Sequence, residues 1–293
     1  MTPGFVQTIS AGKRGGIQQV SAGYAAGFPE IGVPILTIAS LPRDLSPDYD
    51  HELSTLVADE TIASPWKWLD LPGALRWRRS EAFRTAAGFI AHNGHSINFL
   101  RMCAPKGRPI ISVCHMEKLG RRLAADVILC LTEVQKAQAL RELGGKAAGK
   151  TVAVVGNPLA LAPVADAQAL AGSRLRSPRV TIGTLCNLED RKALDVLLKA
   201  LAVVRRQGVD AVVKFGGVGS LREELERLAR ELGLAEQVEF VGHVADRDAY
   251  FADLDIFCLP SRIEPFGLAL IEAMSRALPV CASDTEGPLE ILN

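Results

Sequence analysis

No stretch of the 293-residue chain approaches the roughly eighteen consecutive apolar residues that a spanning helix needs. There is also no secretory signal pattern, so the chain is expected neither to cross nor to enter a bilayer as a helix. An excess of one charge is likewise missing. Lys and Arg total 33, Asp and Glu total 33, and the zero net charge gives no overall field pointing to nucleic acid. The six cysteines are scattered singly, without metal-ligand spacing. Cys114, Cys130, Cys186, Cys258 and Cys281 fall in predicted strands, where a free thiol serves as a small apolar side chain. That usage fits a reducing compartment, and hence the cytoplasm. No repeat of roughly 20–50 residues is present, which sets solenoids aside. What is present, 48% hydrophobic and 23% charged residues, is ordinary for a globular enzyme. The length suggests two domains.

Apolar strand-like runs alternate with helical periodicity throughout, which argues for parallel sheets covered by helices. In the first half, strands are predicted at 5–10, 33–39, 88–92, 108–115, 126–132 and 151–155, with helices at 17–26 and 133–143. Residues 157–178, rich in Ala and Pro and without a clear period, read as a connection. A second series follows, with strands at 179–186, 211–215, 238–241, 255–260 and 279–283. Its helices are predicted at 193–207, 221–232, 247–252 and 268–277. The fold class expected is α/β, with two Rossmann-like doubly wound domains facing a cleft. They would span residues 1–159 and 179–293, joined through 160–178. Ligands of such sheets bind beyond the carboxyl ends of the strands.

The most informative stretch runs from Ser261 to Met274. A short apolar strand leads into a turn carrying Glu264, and Glu272 follows eight residues later on a predicted helix. The N–H groups of Phe266, Gly267 and Leu268 at that helix start are suited to phosphate. Two carboxylates beside an anion site suit a sugar nucleotide, with the diphosphate on the N–H groups and hydroxyls on the acids. Gly15 and Gly16 open the first helix after the first strand, where missing side chains let backbone approach a phosphate. Lys192 starts the first helix of the second series. His115 ends a strand, and His92 and His95 sit at a neighbouring strand-to-loop junction.

Strand, Pro-Ser, then Glu264-Pro265-Phe266-Gly267 and Glu272 resembles the donor-site signature of retaining glycosyltransferases of family 4, which have the GT-B fold. Further likenesses follow in order: Gly15-Gly16-Ile17-Gln18, His115, Val154-Val155-Gly156-Asn157-Pro158, Phe215-Gly216-Gly217-Val218-Gly219, Phe240-Val241-Gly242-His243 and Gly287-Pro288-Leu289-Glu290. The resemblance implies transfer of a sugar from a UDP- or GDP-linked donor to a glycan or lipid-linked acceptor, with no essential metal and no other cofactor. The Gly-Pro-Leu-Glu element leans toward bacterial surface polysaccharide or lipopolysaccharide synthesis.

By the same resemblance Glu272 takes the ribose hydroxyls, Glu264 lies by the transferred sugar, and His115 contacts that sugar and organises the acceptor. Lys192 grips the diphosphate. Asn187 stands where the family has an Arg, and Ala193 where it has a Gly. Arg191 is a candidate substitute for the missing charge. His243 marks a base site read mainly through backbone, which leaves uracil and guanine open. A family member continues beyond Asn293, so the donor domain is expected to be incomplete. Competing readings are another GT-B enzyme, such as an epimerase, and a non-catalytic nucleotide-sugar-binding protein or fragment.

All three tryptophans lie between residues 66 and 79, interleaved with four basic residues: Trp66, Lys67, Trp68, Arg76, Trp77, Arg78 and Arg79. Trp favours a bilayer interface and Arg and Lys attract anionic headgroups, so peripheral contact with the cytoplasmic face of a membrane is one reading. A part-buried amphipathic helix, with Trp in the core, is the other.

Overall fold

Strand and helix alternate along the chain of the computed structural model, in which residues 4–10, 16–41, 60–63, 71–116, 118–159 and 178–293 are described. The chain divides into two compact units, Met1–Ala160 and Leu161–Asn293. The connection expected at 160–178 lies outside the described residues except for Pro178.

Among the described residues, seven strands form the sheet of the first unit: β1 (Phe5–Ser10), β2 (Ile35–Leu41), β3 (Glu60–Ala63), β4 (Gly88–Ala91), β5 (Ile110–Val113), β6 (Val127–Cys130) and β7 (Thr151–Val154). Their order is β3-β2-β1-β4-β5-β6-β7 and every pairing is parallel. Short Val- and Ile-rich runs suit this, because a parallel sheet is covered on both faces. The chain adds strands to one side of β1 and then crosses to the other at β4. The carboxyl ends of β1 and β4 therefore flank the switch point, where ligands of such sheets bind.

Five α-helices lie among the described residues of this unit: α1 (Gly16–Glu30), α2 (Leu71–Arg79), α3 (Glu81–Thr85), α4 (Gly94–Cys103) and α5 (Glu133–Leu143). Side-chain caps start three of them. Ser80 Oγ accepts from Phe83 N (3.3 Å), Asn93 Oδ1 from Ser96 N (3.0 Å), and Thr132 Oγ1 from Gln135 N (3.1 Å). Trp77, Phe83, Phe89 and Phe99 lie in the core, with ring centroids 5.3 Å apart for Trp77–Phe83 and 5.0 Å for Phe83–Phe89.

Among the described residues, the second unit holds five parallel strands in the order β10-β9-β8-β11-β12: β8 (Val180–Leu185), β9 (Ala211–Gly216), β10 (Val238–Gly242), β11 (Ile256–Leu259) and β12 (Val280–Ala282). Between them run α6 (Leu194–Arg206), α7 (Arg222–Glu231), α8 (Arg247–Ala252) and α9 (Leu268–Met274), with α10 (Glu286–Leu292) after β12. Leu197, Leu198 and Leu201 of α6 and Leu225 and Ala229 of α7 pack with Val213 and Phe215 on one core cluster. Tyr250, Phe251, Phe257 and Leu270 form another. Here the switch point lies at the carboxyl ends of β8 and β11.

Several expectations change. Elements β3, α3, α4 and α10 have no counterpart in the sequence reading, and α9 stops at Met274 rather than 277. Cys114 and Cys186 each follow a strand instead of lying in it, and Cys281 is exposed. All six thiols are free. Among the described residues no helix is long and apolar enough to cross a membrane.

Candidate functional site

The turn from β11 to α9 is held rigidly from three sides. The N–H groups of Arg262 and Ile263 donate to Arg191 O (2.9 and 3.3 Å). The Arg262 guanidinium donates to Asp190 O (2.9 Å) and to both Asp195 oxygens (2.9 and 3.1 Å). From α10, Gly287 N donates to Glu264 O (2.9 Å), and a Cβ on Gly287 would sit 2.2 Å from Phe266 O. Only glycine allows that approach, which is the physical content of the Gly-Pro-Leu-Glu element. Gly267 caps α9 with φ of 102°, a conformation that favours glycine. The first N–H groups of α9 have no acceptor within their own helix, as at any helix start.

This frame brings Lys192 and Glu264 together. They are 7% and 8% exposed, and Lys192 Nζ is ion-paired with Glu264 Oε2. Ser261 Oγ lies 3.4 Å from the same oxygen. Lys192 closes a short 3-10 helix, Asp190–Lys192, and Ala193 turns the chain into α6 with φ of 51°. The left-handed value costs a non-glycine residue about 1 kcal/mol, which explains why a glycine would suit Ala193.

Glu272 is 5% exposed and is ion-paired with Arg247, which opens α8. Arg276 Nη1 donates to Glu272 O (2.8 Å), fixing the backbone as well. Arg247 was not anticipated. Nothing near it in sequence marks it, since its partner lies 25 residues away on another helix.

The loop after β8 is laid against the glycine-rich loop after β9. Cys186 N donates to Gly216 O (3.0 Å), Leu188 N to Val218 O (3.0 Å) and Leu221 N to Leu188 O (3.2 Å). Asn187, half-buried, sits in this loop. Arg191 Nε is engaged by Glu189 Oε2 at 3.0 Å, so the candidate substitute for the missing Arg already has a carboxylate partner. His243 is exposed, directly after β10.

In the first unit, Gly16 opens α1, while Gly15 lies outside the described residues. His115, 8% exposed, follows β5. Its Nε2 is 2.9 Å from Nδ1 of the fully buried His92, whose Nε2 is 2.9 Å from Gln7 Oε1 on β1. His95 is elsewhere: exposed, with Arg121 Nη1 2.7 Å from its Nδ1. The three histidines do not converge. Gln7 escaped the sequence reading because a polar residue inside a strand carries no local mark. Trp77 is 4% exposed and packs on Phe83, so it belongs to the core and not to a membrane contact. Trp66, Lys67 and Trp68 lie outside the described residues.

Comparison with known proteins finds similarity to glycosyltransferases. Residues 170–293 match the family model described as Glycosyl transferases group 1. That match takes in nearly all of the second unit. It is 26% identical over 279 residues to the GDP-mannose-dependent alpha-(1-6)-phosphatidylinositol monomannoside mannosyltransferase of Mycobacterium tuberculosis (strain CDC 1551 / Oshkosh), covering 92% of this chain and 69% of that one. It is 30% identical over 175 residues to the lipopolysaccharide core biosynthesis glycosyltransferase LpsD of Rhizobium meliloti (strain 1021), covering 59% of this chain and 48% of the relative. Among solved structures, Anabaena HepE in complex with UDP and glucose superposes with a TM-score of 0.73 at 18% identity, covering 99% of this chain and 83% of HepE. The fold is GT-B.

Proposed function

We propose that this protein is a glycosyltransferase that moves a sugar, with retained anomeric configuration, from a nucleoside diphosphate sugar to a glycan or lipid-linked acceptor in bacterial surface polysaccharide or lipopolysaccharide synthesis. The observation that carries the reading is the pair of buried carboxylates beside the start of α9, each held by its own cation: Glu264 by Lys192 and Glu272 by Arg247. Buried charges that are paired and tethered have fixed directions, and fixed charges are what a site for developing phosphate charge requires. Lys192 would offset charge on the leaving diphosphate, a task that needs no metal. The N–H groups of Phe266, Gly267 and Leu268 would take phosphate oxygens, and Gly15 and Gly16 would also let backbone approach phosphate. Glu272, ion-paired with Arg247, would accept hydrogen bonds from a ribose diol. Glu264 would face the transferred sugar, with His115 at the sugar and acceptor. Asn187 supplies a hydrogen bond where a charge is usual, and the backbone around His243 would read the base.

One relative is GDP-mannose-dependent by name, and the solved neighbour holds UDP and glucose. Thermal unfolding with UDP, GDP, ADP and their sugar derivatives therefore tests the donor. One base should stabilise the protein by about 2.7 kcal/mol at a hundredfold excess over its Kd. Glu272→Ala should abolish that gain. A flat response to every nucleotide would remove the donor-site reading.

A cytoplasmic location with peripheral membrane contact is supported by α2, where Arg76, Arg78 and Arg79 are exposed beside Leu75, itself 52% exposed. Each basic residue near an anionic surface contributes about 1 kcal/mol. Changing all three to Ala should reduce flotation with anionic vesicles by roughly a hundredfold in partition. Equal flotation of the two proteins would end the membrane proposal.

A further inference from the structure

Gln7, His92 and His115 form one hydrogen-bonded chain, and its direction follows from chemistry alone. Gln7 Nε2 lies 3.0 Å from Ser21 O and 2.7 Å from Thr37 Oγ1. A backbone carbonyl can only accept, so this end of the amide is the NH2 group and Oε1 faces His92. Oε1 can only accept, so His92 Nε2 carries a proton. His92 is fully buried, edge-on to Tyr24 with centroids 5.3 Å apart, and burial pushes its pKa down to about 3. A neutral ring protonated at Nε2 has a bare Nδ1. The hydrogen bond between the two rings is therefore donated by His115 Nε2–H, over 2.9 Å. Burial, with His92 and Arg122 nearby, holds His115 well below the usual imidazole range, so it too is neutral. Its Nδ1 must then be bare. That nitrogen hydrogen-bonds no described residue, and His115 is 8% exposed.

We propose that Gln7 and His92 are positioning residues that lock His115 as its Nε2–H tautomer, so that bare Nδ1 accepts a hydrogen bond from a substrate hydroxyl. The inference rests on the proposed role of His115 at the sugar and acceptor. It excludes His115 as a cation or a donor to phosphate oxygen. The order Gln7, His92, His115 also explains an amide inside β1: it is the fixed end of the chain, pinned by α1 through Ser21 and by β2 through Thr37.

The test is a long-range proton–nitrogen NMR spectrum of histidine-labelled protein at neutral pH, with His115 assigned by its loss in His115→Ala. The expected result is His115 protonated at Nε2 and bare at Nδ1. Protonation at Nδ1, or at both nitrogens, overturns the proposal. This readout needs no substrate, so an absence of transferase activity would sink the functional reading while leaving the tautomer assignment standing. With a donor and acceptor in hand, His92→Gln keeps an acceptor toward His115 and a donor toward Gln7, and should preserve both tautomer and turnover. His92→Phe should mix the tautomers and lower kcat by about 100-fold with donor KM little changed, at the low end for a positioned proton acceptor. Equal kcat for a folded His92→Phe and the unaltered protein would also overturn it.

Discussion

Lys192→Met is expected to lower turnover by about 10²–10³-fold, the loss typical when one preorganised charge-stabilising group is removed from an active site. It should also cost about 3 kcal/mol of stability. Glu264 is 8% exposed, and without Lys192 Nζ its strongest remaining described side-chain neighbour is Ser261 Oγ at 3.4 Å. Removing one partner of a buried pair leaves the other charge uncompensated, which is costlier than never having had the pair. The two effects separate in a double variant. Lys192→Met with Glu264→Gln should recover most of the stability, because a neutral amide replaces the stranded charge, yet recover none of the activity. Chemical denaturation alongside a transfer assay reads both. A double variant that regained turnover would show that Lys192 serves the fold and not the leaving group.

How far the sequence was readable depended on whether the deciding contact was local. Helices α5 and α8 begin and end at the residues expected, since their caps lie in the sequence: Thr132 accepts from Gln135 N and Asp246 Oδ1 from Ala249 N (2.9 Å). Helix α4 has a similar cap in Asn93, but it opens Gly-His, and that weak start blended into the strand before it. Strand β3 pairs on one side with β2 and reads Glu-Thr-Ile-Ala, too short and mixed to stand out. Glu264 and Glu272 were legible through spacing, and Lys192 through its place at a helix start. Arg247 and Gln7 were not, because their partners are 25 and 85 residues away and only tertiary packing joins them. The segment with Trp77 could be read two ways from its neighbours, and burial decided that residue for the core. Ala193 shows the reverse case. An unusual residue at a position expected to be glycine was visible in sequence, and its left-handed φ of 51° supplies the reason.

Gly217→Ala is expected to be the most damaging single methyl in the second unit. Gly217 has φ of 120°, and a Cβ there would lie 1.9 Å from Cys186 O. Backbone stands on both sides of that contact, so no flexible side chain can swing away. Relief requires parting the loops after β8 and β9. That movement strains Cys186 N to Gly216 O, Leu188 N to Val218 O and Gly217 N to Gly242 O, at 3.0, 3.0 and 2.7 Å. The conformational penalty alone is about 1–2 kcal/mol, and each bond lost adds about 1 kcal/mol. A total near 4 kcal/mol should lower Tm by on the order of 10 °C. Gly208→Ala is the matched control: its φ is 88°, but nothing lies within 4 Å of the added methyl. It should cost only the conformational part. Because the parted loop carries Asn187 and leads to Lys192, Gly217→Ala should also lose nucleotide stabilisation, whereas Gly208→Ala should keep it. If the two variants melted together, the close approach of these loops would have no energetic consequence. The glycines after β9 would then serve backbone conformation alone.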